Sequence, residues 1–231
     1  MSWGYSCYNA KCGIDFGILR IMNKPKAILF DWDNTLIDNN DILLEAMNTA
    51  LTTCGMPIMT QAQYLSQPHI SIRDSFKTEL SEERAELARK VFHNHLAEKI
   101  TLNGIKTLPQ SAETLEHISK LGIKMAVVSN KRGDILRDEV AQLGWGKHFL
   151  NIVGAEDAER DKPSNLPVLF ALKDSGIRPE DSWFIGDSQV DLECARNSGC
   201  FAVIINNPSL AADIHVSNHL ELINLISQNF K

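Results

Sequence analysis

The sequence predicts an α/β protein: a parallel sheet with helices on both faces, interrupted once by a separate block of helices. Three observations predict it. Unbroken apolar runs of strand length recur at Ala27–Phe30, Met125–Val128, Trp183–Ile185 and Phe201–Ile205, as expected of strands buried on both faces. Helix-spaced segments lie between the later runs and close on Gly122, Gly144, Gly176 and Gly199, the alternation of βαβ units. From Asp38 to Leu108 no strand-like run occurs.

Taken in order, residues 1–21 mix Trp, Tyr and Gly without periodicity and are expected to be an extension, with Met22 as a candidate functional start. The first strand, Ala27–Phe30, breaks into Asp31-Trp32-Asp33-Asn34-Thr35. Residues 41–54 carry apolar side chains at 43, 44, 47, 50 and 51, one helix face, ended by Gly55 and Pro57. Two more helices are expected at 71–80 and 82–100, the latter with Ser81 as a candidate N-cap. Residues 39–106 are thus expected to form a helical insert, and residues 22–38 with 107–231 the core.

Beyond Leu108, helices are expected over 109–121, 135–143, 166–174 and 190–197, with a weaker strand near 150–153. Pro167 requires that its helix begin just before it. Phe201–Ile205 is the last clear strand. The whole reads as a Rossmann-like sheet in which three strands discharge polar clusters at their carboxyl ends, where open parallel sheets bind ligands.

Composition narrows the function. A formal charge of -6 and 44% hydrophobic residues suit a globular protein and argue against nucleic-acid binding, which rests on phosphate neutralisation by Lys and Arg. No apolar stretch is long enough for a membrane span, and the N-terminus lacks a secretory pattern. The five scattered cysteines suit reduced thiols, so a cytoplasmic location is expected. Cys7 with Cys12 has no second pair for zinc. His215 and His219 are read as a solvated helix face.

Four clusters should meet in one crevice: Asp31 with Asp33, Ser129 with Asn130, Lys162, and Asp187 with Asp191. Two unit charges about 4 Å apart cost roughly 4 kcal/mol at an effective dielectric near 20, so the acids need compensation. Lys162 supplies one charge, and an oxygen-liganded ion such as Mg²⁺, held among Asp31, Asp33, Asp187 and Asp191, would supply two more. In such a site Asp31 suits a nucleophile toward phosphorus and Asp33 a proton donor and acceptor, provided its neighbours raise its pKa. Ser129, Asn130 and Lys162 suit holders of the phosphate oxygens.

Asp31-Trp32-Asp33-Asn34-Thr35, Ser129-Asn130-Lys131, Lys162-Pro163 and Gly186-Asp187-Ser188-Gln189-Val190-Asp191 resemble the four ordered motifs of the haloacid dehalogenase superfamily, over residues 26–206. The forms around Ser129 and Lys162 resemble its phosphoglycolate phosphatase-like branch, and the insert resembles the family's type 1 cap. The resemblance implies Asp31 as nucleophile and Asp33 as acid/base. It places Mg²⁺ on Asp31, the Asp33 backbone carbonyl and Asp187. The implied partner is a small phosphorylated metabolite, with phosphoglycolate as the family's example. Asn34 departs from the branch's usual glycine, yet Asn tolerates positive φ.

Each motif alone has a bland reading as a loop, turn or cap; their order, and their placement after strands, argues against it. Thr35 is read as fastening its loop, Lys131 as facing either substrate or solvent, and Asp157 and Asp161 as caps or surface groups. Ser71–Phe76 vaguely resembles a cap segment of sugar-phosphate mutases. In that alternative Arg73 would clamp a phosphate. A non-catalytic phosphate-binding protein is the third reading, disfavoured because every catalytic position is filled.

Overall fold

The structure, a computed structural model, describes residues 24–67, 70–76 and 80–230, with the side chains of 101–103 left aside. The proposed extension at 1–21 and the candidate start at Met22 lie outside the described residues.

Six strands, β1 (Ala27–Phe30), β2 (Lys124–Arg132), β3 (Phe149–Ala155), β4 (Ser182–Gly186), β5 (Phe201–Ile205) and β6 (Ile214–Val216), form one sheet. Their order is β3-β2-β1-β4-β5-β6, and every pairing is parallel. The expected α/β architecture is therefore the one observed. After β1 the chain builds outward through β2 and β3, then returns to place β4 on the other side of β1. That reversal makes the β1/β4 boundary the switch point where open sheets gape at their carboxyl edge.

Helices α1 (Asn40–Thr53), α2 (Gln61–Leu65) and α3 (Glu82–Asn103) precede β2. They are followed by α4 (Ser111–Lys120), α5 (Gly133–Gln142), α6 (Leu166–Ala171), α7 (Gln189–Ser198) and α8 (His219–Asn229). Alternate residues of the buried strands feed opposite faces. Ile28, Phe30, Met125 and Val127 pack with Leu115 and Ile118 of α4, Leu136 of α5 and Leu222 of α8. Ala27, Leu29, Ala126 and Val128 pack with Val168 of α6 and Leu192 of α7. This double cover is why the strands are apolar without alternation.

Helices α1, α2 and α3 share a hydrophobic cluster of their own, built on Ile42, Leu43, Ala46, Tyr64, Phe92 and Leu96. The chain leaves the sheet and returns side by side. Ile37 bridges Thr107 in antiparallel fashion, Asp38 N–H donates to the Lys106 carbonyl at 2.8 Å, and Leu108 N–H to the Leu36 carbonyl at 3.0 Å.

Several expectations change. The described part of 71–80 is a turn over Ile72–Phe76, with Phe76 at φ 68°, rather than a helix; positive φ at a bulky residue breaks helical geometry. Strand β6 and helix α8 follow the strand expected to be last, because three residues at a sheet edge make too short a pattern to read. His215 lies in β6 and His219 opens α8, so they share no helix face. His219 is buried, its ring nitrogens 2.7 Å from the Thr35 carbonyl and 3.1 Å from Thr114 Oγ1. Ser81 occupies the N-cap of α3 without a side-chain capping bond. Pro167 sits in the first turn of α6, as its geometry demands. Among the described residues no helix is long and apolar enough to cross a membrane.

Candidate active site

Register builds the site. Phe30 pairs with Val127 on one side and Ile185 on the other, so Asp31, Ser129 and Asp187 emerge at the same carboxyl edge. Asp31 N–H extends the ladder to the Ile185 carbonyl at 2.9 Å. Beyond it the chain turns tightly, with Leu36 N–H bonded to the Trp32 carbonyl at 2.9 Å and Asn34 at φ 60°. Asn thus adopts the left-handed conformation the loop needs. Trp32 points inward, edge-on to Trp145 with ring centroids 5.8 Å apart, while Asp31 and Asp33 on either side of it line a common cavity.

Lys162 ties the first acid to the fourth motif. Its Nζ lies 2.6 Å from Asp31 Oδ1 and 2.7 Å from Asp191 Oδ1, with all three residues buried. Asp191 is held in turn by a capping box: Ser188 N–H and Oγ–H donate to its Oδ2 at 3.0 and 2.5 Å. Asn130, expected to hold phosphate oxygens, stands at the cavity and bonds the Lys162 backbone. It accepts from Lys162 N–H at 3.0 Å and donates to the Lys162 carbonyl at 3.1 Å, fixing the lysine backbone. These two bonds to one residue position the Lys162 backbone, and Asn130 also lines the cavity. Ser129 Oγ is buried at the cavity wall and accepts from Lys131 N–H at 3.2 Å.

A second buried chain, unforeseen in the sequence, supports Asp33. Its Oδ1 accepts from Asn39 Nδ2 at 2.9 Å and from Lys131 Nζ at 2.8 Å. The same ammonium lies 2.7 Å from both oxygens of Glu139, and Trp32 Nε1 donates to Glu139 Oε2 at 2.6 Å. Burial opposes the charge on Lys131, but Asp33 and Glu139 outweigh it and hold its pKa above the ordinary lysine value. Lys131 therefore faces neither substrate alone nor solvent. The missed signal was Glu139 on the apolar stripe of its helix with Leu136 and Val140, where an acid demands a buried partner.

Asp187 follows β4, its Oδ1 3.4 Å from Thr35 Oγ1 and its backbone carbonyl accepting from Asn207 Nδ2 at 3.1 Å. One carboxylate oxygen from each of Asp31, Asp187 and Asp191 lies within 4.8 Å of the others. Burial first pushes the Asp31 pKa up to about 7, with Lys162 opposing and Asp191 adding to the rise. Asp187 is raised well above the ordinary carboxylate value by burial, then by Asp191 and Asp31. Crowded acids with one lysine to balance them are a donor set that fits a hard divalent cation.

Gly186 makes this crowding possible. A Cβ there would stand 2.4 Å from Cβ and Cγ of Asp191, so Gly186→Ala must displace the carboxylate that faces Lys162. The expected result is a loss of about 1–3 kcal/mol of stability, read as a lower melting temperature; an unchanged midpoint would show that Asp191 moves freely.

The acids open into a cavity of 270 Å³, with Ser129, Lys131 and Lys162 on its sheet side and α1, α2 and α3 opposite. Arg73, the clamp required by the mutase alternative, does not line it. Its Nε lies 3.0 Å from Asp161 Oδ2, and its Nη2 donates to the Glu159 carbonyl at 3.3 Å. Asp161, read as a cap or surface group, is buried and also accepts from Glu156 N–H at 3.0 Å. Asp157 accepts from Gly154 N–H at 2.8 Å and pairs with Arg137.

An acidic crevice at the switch point of a parallel sheet, balanced by a buried lysine and covered by helices, is the site of a Rossmann-like enzyme suited to anionic substrates. The chain belongs to the haloacid dehalogenase-like hydrolase family, whose model matches residues 28–205. It is 28% identical over 218 residues to a phosphoglycolate phosphatase of Chromobacterium violaceum, covering 87% of this chain and 96% of that one. The crystal structure of a HAD-superfamily hydrolase from Ehrlichia chaffeensis is similar, with TM-score 0.63 and 30% identity over 91% of this chain and 100% of that one. A hydrolase from Pseudomonas syringae shares the fold, with TM-score 0.76 and 21% identity over 87% of this chain and 98% of the other.

Proposed function

We propose that the protein is a Mg²⁺-dependent phosphatase that hydrolyses a small phosphate monoester through an aspartyl-phosphate. The observation that carries this reading is Asp31, a buried carboxylate at the end of the central strand, facing a cavity beside Lys162 and two further acids. Asp31 Oδ attacks phosphorus, and the P–O bond to the alcohol breaks. Asp33 gives a proton to the departing alkoxide, then takes one from the water that cleaves the Asp31–phosphorus link and releases inorganic phosphate. Ser129 and Lys162 hold the non-bridging oxygens as charge shifts among them.

Asp31, the Asp33 backbone carbonyl and Asp187 would hold Mg²⁺, with Asp191 beside them. When bound, the ion supplies the positive charge that lets a phosphate dianion enter a site made of acids. Residues 39–106 act as a cap that shields the site from water and selects the alcohol, and the Arg73–Asp161 pair supports their docking on the core. Among the described residues, Cys54, Cys194 and Cys200 are buried free thiols, which supports a reducing, cytoplasmic setting.

Phosphoglycolate, the substrate in the name of the Chromobacterium violaceum relative, is the reference substrate. The test is hydrolysis of p-nitrophenyl phosphate with Mg²⁺, after chelation, and after Mg²⁺ is restored. Turnover should disappear with chelation and return with the ion; turnover indifferent to chelation rules the reading out.

A further inference from the structure

A buried circuit of side chains starts and ends on the tripeptide Asp31-Trp32-Asp33. The Trp32 indole N–H donates to Glu139 Oε2 at 2.6 Å, both Glu139 oxygens lie 2.7 Å from Lys131 Nζ, and that ammonium lies 2.8 Å from Asp33 Oδ1. Trp32 is itself buried, with its ring against Trp145. Glu139 comes from α5 and Lys131 from the end of β2, so two elements beside β1 reach the acid that follows it.

The circuit fixes the ammonium in space. Lysine carries its charge on a flexible four-carbon stem, and with Asp33 as its sole partner the two side chains would move together. Two contacts from Glu139 hold Nζ, and the indole holds Glu139. Asn39 Nδ2 meets the same Asp33 oxygen at 2.9 Å. Among the described residues both donors therefore reach Oδ1, and none reaches Oδ2. The Asp33 side chain is 16% exposed and lines the cavity, whereas Glu139 is buried behind it. The unanchored oxygen is the one left to meet a leaving group. For the core alone an apolar pair would serve as well or better than buried charges, so stability does not account for a chain of polar groups that ends on the acid.

We infer that Glu139 is a positioning residue for proton transfer: acting through Lys131, it anchors Asp33 Oδ1 and leaves Oδ2 to protonate the departing oxygen. The inference rests on the phosphatase reading above. As the bond from Asp31 to phosphorus forms and the P–O bond to the alcohol breaks, the proton passes from Asp33 Oδ2 to the alcohol oxygen, and Asp33 is left as a carboxylate. Lys131 and Glu139 exchange no proton in this step.

The test compares kcat/KM of the full chain with Mg²⁺ for p-nitrophenyl phosphate and phenyl phosphate, two aryl esters of similar shape. Nitrophenolate departs readily without a proton, whereas phenolate gains from one. The constant kcat/KM ends with departure of the alcohol, before Asp33 acts as a base. In Glu139→Gln the ratio of p-nitrophenyl to phenyl ester should rise at least about fivefold above the parent's, a part of the roughly 10²–10⁴-fold that general acid catalysis supplies. Both esters are measured in one preparation, so a smaller folded fraction, the effect of a purely structural role, does not move the ratio. Should Glu139→Gln fail to fold, Trp32→Phe takes its place. It removes the indole N–H while keeping the Lys131–Glu139 pair, and should raise the ratio at least about twofold. An unchanged ratio in the folded variant overturns the inference and leaves the phosphatase reading standing. Failure of both variants to fold does the same, since it assigns the circuit to the core. A parent chain that hydrolyses neither ester overturns both readings.

Discussion

Asp31→Asn is expected to reduce hydrolysis of p-nitrophenyl phosphate by at least about 10³-fold, since loss of a nucleophile removes the covalent route rather than one contact among many. Its effect on stability should run the other way. Asp31 is crowded by Asp191 and Asp187, and the amide removes one of those charges. Lys162 keeps Asp191 at 2.7 Å as its partner. The variant should therefore melt no lower than the parent. Turnover measured beside a thermal melt separates the two outcomes, and a folded variant keeping more than about a hundredth of the activity would contradict the nucleophile assignment.

Lys131→Met should instead act mainly on stability. Lys131 and Glu139 side chains are each 2% exposed, and removing the ammonium leaves Glu139 with the Trp32 indole N–H as its donor among the described residues. Breaking a buried pair from one side costs about 3–5 kcal/mol, or roughly 10 °C of melting temperature in a chain of this size. Asp33 loses its 2.8 Å partner as well, so activity should fall with stability. Adding Glu139→Leu should recover much of the midpoint while leaving activity low, because the buried charge is removed but Asp33 remains unsupported. A double variant as unstable as the sum of the two singles would show that the residues are not energetically coupled.

Most of the sheet was legible because burial on both faces demands unbroken apolar runs, and β1, β2, β4 and β5 meet that demand. Strand β6 escaped because three residues do not make a period. The turn at Ile72–Phe76 escaped because its sequence also satisfies a helix-start pattern, and only the positive φ at Phe76 excludes one. Within the site, Asp31, Asp33, Ser129, Lys162, Asp187 and Asp191 were legible as residues at the ends of strands and their following loops, and the structure brings them to one cavity wall or its support. Asn130 was legible as a member of its motif, but the direction of its amide was not.

The sequence by itself determined the parallel α/β sheet, the helical interruption after Asp38 and the convergence of acids with Lys162, since periodicity and strand ends are local properties of a chain. Only the tertiary structure decided how charges pair across long separations: Lys131 with Asp33, Lys162 with Asp31 and Asp191, Arg73 with Asp161. It also decided which side chains of α1, α2 and α3 reach the cavity over the acids, because which helix faces meet over a cavity depends on packing between elements. Each of these depends on side chains far apart in sequence coming within a few ångströms, which no local pattern records.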